Sequence, residues 1–244
     1  MDPDDILSEL RSLADPRHAD GMARFGISRE GTLGIPMPPL RAIARRAGRD
    51  HRLAQRLWAS GIHEARLLAA FVDDPAKVTE AQMERWARDF DSWDTCDVVC
   101  GHLFDKTPFA HAKAVEWSAR DEEFVKRAGF ALMAALSVHD KDSPDEAFRA
   151  FLPVIAREAG DDRKYVMKAV NWALRQIGKR NRALHACAVE TALEIRAQGS
   201  RSARWIAADA IRELRGPVVA RILARQESRP LRSPEWRPAR RPSS

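Results

Sequence analysis

Between Arg163 and Lys179 the apolar residues Val166, Val170, Ala173, Leu174 and Ile177 recur with a helical period, while Lys168, Trp172, Arg175 and Lys179 fall on the other side. At roughly 100° per residue the two sets point in nearly opposite directions, so a core-sized indole is left among cations rather than in the stripe that must pack. The segment 202–214 repeats the arrangement. Ile206, Ala207, Ala210, Ile211 and Leu214 make the apolar stripe, and Arg201, Arg204, Trp205, Arg212 and Arg215 gather opposite it. Almost every other stretch also reads with helical period, and almost none alternates as a strand. Amphipathic runs cover 5–14, 39–47, 53–60, 64–71, 108–118, 144–157 and 181–197.

Start and stop signals punctuate these runs. Thr79 with Gln82 reads as a capping box, Thr107-Pro108 and Ser143-Pro144-Asp145-Glu146 as starts with proline in the first turn, Asn181 as an N-cap and Gly216-Pro217 as a break. Helices this short cannot bury their own apolar faces. Stacked as about six antiparallel pairs they share one core, which predicts an all-α, HEAT-like helical repeat solenoid as a single domain over 1–227. No fixed period marks the repeats, so a compact irregular helical domain is the competing architecture. Residues 25–39 hold Gly26, Gly31, Gly34, Pro36, Pro38 and Pro39 and predict a loop. The basic, Pro/Arg-rich stretch 228–244 predicts a disordered tail.

Lys plus Arg number 41 against 35 Asp plus Glu, a net charge of +6. This excess suits a polyanionic partner, and outward tryptophans framed by cations point to nucleic acid: the cations neutralise phosphates and the indole rests on a sugar or base. The competing reading is a solvated helix face with snorkelling basic chains. Three cysteines, Cys96, Cys100 and Cys187, make no disulfide framework, and no signal-peptide pattern is seen, so a cytoplasmic, nucleoid-associated protein with reduced thiols is expected. The longest apolar run, 128–136, is too short for a membrane span. Cys96, Cys100 and His102 lack metal-ligand spacing, and no metal site is expected.

Trp93 and Asp97 stand four residues apart on one helix and share a side with Cys100 and Phe104. Asp94 is explained by the helix N-terminus; Asp97 lies a turn too deep for capping and is the better functional candidate. Arg127 sits in an almost wholly apolar helix beside Ala131 and Ala134 and requires an anion, either an internal carboxylate such as Asp97 or a phosphate.

Trp93-Asp94-Thr95-Cys96-Asp97, then Lys126-Arg127-Ala128-Gly129, then the run from Tyr165 to Arg175 resemble successive motifs of the bacterial DNA alkylation repair proteins of the AlkD type. Phe25-Gly26-Ile27 and the run Gly34 to Arg41 resemble that family's N-terminal loop, and the similarity extends over 23–214 in order. The resemblance implies a monofunctional DNA N-glycosylase that excises N3- or N7-alkylated purines from duplex DNA without flipping the base. It implies that Trp93 and Trp172 flank the lesion sugar, that Asp97 is the catalytic carboxylate, and that Arg127 grips a phosphate. Ser92 stands where some members carry a second Trp, and Phe25 is the candidate N-terminal aromatic.

The chemistry agrees with those roles. An alkylated purine is cationic and leaves as a neutral base, so no strong acid is needed; an ionised Asp97 stabilises the oxocarbenium-like sugar and orients water. No cofactor and no lysine nucleophile are called for. Lys168, Arg175, Lys179, Arg201, Arg204, Trp205 and Arg212 complete the expected DNA surface, and the expected partner is duplex DNA carrying alkylated bases, bound by a monomer with no obligate protein partner. Two rivals stand beside this reading: a DNA-binding solenoid without excision activity, and a protein-binding HEAT scaffold.

Overall fold

In the computed structural model, which describes residues 2–228, the chain forms α-helices and one short 3₁₀ turn, Phe104–Lys106. The helices are α1 Pro3–Ser12, α2 Pro16–Ala23, α3 Met37–Ala47, α4 His51–Ala59, α5 His63–Val72, α6 Glu80–Arg88, α7 Trp93–His102 and α8 Ala110–Ser118, followed by α9 Glu123–His139, α10 Asp145–Arg149, α11 Phe151–Glu158, α12 Lys164–Gly178, α13 Arg182–Ala197, α14 Arg201–Leu214 and α15 Pro217–Glu227. Side chains cap several of them. Asp15 accepts from the backbone N–H of Arg17 and His18, Asp50 from Leu53, Asn181 from Leu184 and Ser200 from Ala203, each satisfying a donor that the first turn leaves open.

The helices form two layers. An inner row runs α3, α5, α7, α9, α12, α14, each packed on the next, and α4, α8, α11 and α13 back it. Neighbours in the row are parallel: Cys96 and Cys100 of α7 donate to the carbonyls of Phe124 and Ala128 on α9, both 28 residues on. Likewise Asn171 and Arg175 of α12 reach Asp209 and Glu213 of α14, both 38 residues on. A core from Ile6 to Leu214 fills the space between the layers, with Trp86, Trp117, Phe104, Phe130 and Phe148 its largest fully buried side chains. This is a HEAT-like helical stack. No helix among the described residues is long and apolar enough to cross a membrane.

The structure corrects four local expectations. The run 144–157 is split into α10 and α11, because Pro153 has no N–H for the carbonyl of Arg149 and its ring crowds that group. The loop expected to reach Pro39 ends at Pro36, since Pro38 and Pro39 fit the first turn of α3, where no N–H partner is required. Thr79 caps α6 through the N–H of Gln82, but the Gln82 side chain turns to Asp73 Oδ2 at 2.7 Å, so the box is half formed. The first helix begins at Pro3, two residues earlier than its apolar run, because Asp2 caps it and Pro3 opens it. The expected tail lies, from residue 229 on, outside the described residues.

Candidate active site

Three members of the inner row and the N-terminal loop converge on one cavity of 330 Å³. Its lining is Trp93 and Asp97 from α7, Arg127 from α9, Lys164, Tyr165, Lys168 and Trp172 from α12, and Arg24 and Phe25 from the loop. Residues scattered over some eighty positions of sequence meet because α7, α9 and α12 lie side by side and each presents its solvent sector to the same side. Trp93 and Trp172 are half-buried and line the cavity.

Asp97 sits in this cavity with its side chain 21% exposed. Arg127, itself 6% exposed, holds it by a two-pronged contact: Nε donates to Oδ1 at 3.0 Å and Nη2 to Oδ2 at 2.7 Å. The remaining terminal nitrogen, Nη1, donates to the carbonyl of Tyr165 at 2.7 Å. Of the two anions that sequence left open for Arg127, the structure places the carboxylate there. A guanidinium carries five N–H groups, of which these contacts use three, so the carboxylate contact leaves two donors over for the phosphate expected from the resemblance. Burial pushes the Asp97 carboxyl above its ordinary value, with Arg127 pulling against that effect. The result is an oriented carboxylate whose basicity exceeds that of a solvated aspartate.

The loop is clasped from beneath. The first two residues of α5 carry the clasp: Glu64, fully buried, accepts from the N–H groups of Leu33, Gly34 and Ile35 at 2.9, 2.7 and 3.1 Å. His63, 4% exposed, takes the Gly31 carbonyl through its backbone N–H and places Nε2 2.9 Å from Asp94 Oδ2 and Nδ1 3.3 Å from Thr95 Oγ1. Asp94, assigned from sequence to the helix N-terminus, thus also has an imidazole partner whose charged form it favours. Burial works against the charge on His63, but Asp94 outweighs it and His63 is held above its ordinary value; burial likewise opposes the charge on Asp94, and His63 holds it below. From the loop side, the Phe25 carbonyl accepts from Trp93 Nε1 at 3.0 Å, and Gly26, at φ +84°, lets the chain pass where a Cβ would lie 1.6 Å from the Tyr165 hydroxyl. Phe25 is left 70% exposed at the rim.

The cations divide into free and engaged. Among the described residues Lys168 is exposed and free of carboxylate, as are Arg24 and Lys164, which sequence reading missed although one adjoins Phe25 and the other lies a turn before Lys168. Arg175 and Lys179, expected to bind DNA, reach across to Glu213, Lys179 at 2.7 Å, because α14 brings that carboxylate against their face. Arg212 is paired with Asp209, though its side chain remains mostly in solvent. Arg201, Arg204 and Trp205 lie on α14, outside the cavity. Cys96 and Cys100 are buried against backbone carbonyls.

The family model of the DNA alkylation repair enzymes matches residues 6–214, which spans the whole inner row. The chain belongs to the DNA alkylation repair enzyme family. Among solved structures, one superposes on this member of the family with a TM-score of 0.70 at 21% identity, over 87% of this chain and 95% of its own. That protein belongs to a new family related to the HEAT-like repeat DNA glycosylases, with affinity for branched DNA structures. The shared feature is the fold. No curated protein matches the chain.

Proposed function

We propose that this protein is a monofunctional DNA N-glycosylase that removes cationic N3- or N7-alkylated purines from duplex DNA without flipping the base. One observation carries the reading: the Asp97 carboxylate, oriented by Arg127, opens into a cavity walled by Trp93 and Trp172 and edged by free cations. The indole faces receive the positive charge of the lesion and its sugar. As the glycosidic C–N bond breaks, its electron pair returns to the purine, which leaves neutral; the sugar becomes oxocarbenium-like and is stabilised by Asp97. Water then adds to the anomeric carbon and gives its proton to Asp97, leaving an abasic site. Lys168, Lys164 and Arg24 hold the backbone phosphates around the cavity.

The test is release of free 7-methylguanine or 3-methyladenine from methylated duplex by wild type and Asp97→Asn. Release by wild type that falls at least about a hundredfold in the variant is expected; no release by wild type overturns the reading. A second reading, binding of branched DNA without excision, draws on the reported affinity of the structural neighbour. It predicts tight, salt-dependent binding to a three-way junction and no base release.

A further inference from the structure

Among the described residues two aromatic side chains are exposed, Phe25 and Trp205. Phe25 belongs to the cavity rim, whereas Trp205, 40% exposed on α14, makes no side-chain hydrogen bond or ring contact among the described residues. Its position is fixed by the joint between α12 and α14. Asn171 Nδ2 donates to Asp209 Oδ2 at 2.7 Å across that joint. Going round α12 from Asn171, away from its buried stripe, one meets Lys168 and Trp172. Going round α14 from Asp209, away from Ile206, Ala210 and Leu214, one meets Trp205 and then Arg201, at about 40° and 80°. Both pairs therefore lie on the same side of the joint, and Trp205 continues the wall that bears the cavity.

Charge separates this patch from its surroundings. Arg175, Lys179 and Arg212 are matched by Glu213 and Asp209, but among the described residues Arg201 and Arg204 have no carboxylate partner. An outward indole with the unmatched Arg201 beyond it on the same face suits a sugar-phosphate strand: the cation meets a phosphate and the ring lies against the deoxyribose. Packed helices stand about 8–10 Å apart and a DNA strand advances about 3.4 Å per nucleotide, so one helix of the row corresponds to about three nucleotides.

We propose that Trp205 and Arg201 form a second DNA subsite, which meets the backbone of undamaged duplex about three nucleotides beyond the one facing Trp172. This rests on the DNA-binding half of the reading above and not on base excision. It makes the recognised element a stretch of intact duplex on one side of the lesion, and gives that side a longer footprint.

The full chain is titrated by fluorescence anisotropy against duplexes holding one tetrahydrofuran abasic analogue, each arm being trimmed base pair by base pair. Wild type is expected to lose roughly tenfold in affinity when one arm, and not the other, is cut past about the third pair. Trp205→Ala shows that loss on the long duplex and no further loss on trimming, Trp205→Phe recovers most of it, and Arg201→Gln lowers the salt slope by about one. Thermal melts of the variants control for folding. A Trp205→Ala loss that is equal on trimmed and long arms, or absent on both, overturns the proposal; so does a loss confined to junctions or unpaired flaps. Base release by wild type is scored separately. Its absence with arm-dependent binding overturns the glycosylase reading alone.

Discussion

The guanidinium of Arg127 lies fork-on against the carboxylate of Asp97, 3.0 Å at Nε and 2.7 Å at Nη2. Because the partners belong to neighbouring helices α7 and α9, one contact both joins two units of the stack and aims the carboxylate into the cavity. Arg127→Ala strands that carboxylate half-desolvated, and a loss of about 3–5 kcal/mol in urea unfolding is expected. Asp97→Asn keeps an acceptor for the guanidinium and costs about 1–3 kcal/mol. The two variants thus rank in opposite orders: the arginine change is the worse for stability, and the asparagine change removes the reacting charge itself. Paired unfolding and base-release measurements check the ranking.

The pair of His63 and Asp94 makes stability depend on pH in a defined window. His63 is raised above 6.5 in the folded state, so its contribution is complete below 6.5 and fades as pH climbs through the raised value. Asp94 is lowered below 3.8, so its contribution is complete above 3.8 and fades as pH falls through the lowered value. The melting temperature of wild type relative to His63→Gln is expected to be highest between these limits and to shrink on both sides. A difference independent of pH contradicts the ion pair.

Base release adds its own limb. Asp97 must be ionised to stabilise the sugar cation, and burial has lifted its value above the usual 3.8. Single-turnover release is therefore expected to fall on acidification at a pH higher than a solvated aspartate dictates. Wild-type rates across pH, on a duplex whose lesion charge does not titrate, check this.

Gly26 tests the loop. Its φ of +84° strains any other residue, and a Cβ there meets the Tyr165 hydroxyl at 1.6 Å and ring carbon Cζ at 2.8 Å. Gly26→Ala is expected to displace the Phe25 loop and break the Trp93 bond, speeding hydrogen exchange at the Leu33 to Ile35 amides. Adding Tyr165→Phe removes the hydroxyl and leaves the ring, so recovery is partial.

The pattern along single helices was legible: Lys168 and Trp172 were found because a 3.6-residue period decides which sector packs. Asp97 was separated from Asp94 by depth in the helix, and the structure puts Asp97 in the cavity and Asp94 against His63. What lies between helices was not legible. Arg127 demanded an anion, yet its choice of Asp97 depends on how α7 and α9 align, which the intrahelical period does not encode. The same gap hid the partner of Arg175 and Lys179, Glu213, which stands 38 and 34 residues away. The break at Pro153 was legible in principle, since the ring denies Arg149 its acceptor role, but the amphipathic pattern runs through it.

The division of cations gives a last prediction. Lys168 on α12 and Lys179 at its C-cap were indistinguishable as binders from sequence, but among the described residues Lys168 has no carboxylate while Lys179 Nζ is held by Glu213 Oε1 at 2.7 Å. A lysine that already has a carboxylate contributes little net charge to the surface and releases few counterions when DNA binds. Lys168→Ala is expected to lower the slope of log affinity against log salt by about one, and Lys179→Ala to leave it nearly unchanged. Glu213→Gln, which keeps the side-chain shape, frees Lys179 and leaves Arg175 with Asp209 alone at 3.6 Å, is expected to steepen the slope by about one. If the two lysine variants change the slope equally, the ion pairs with Glu213 do not persist on DNA.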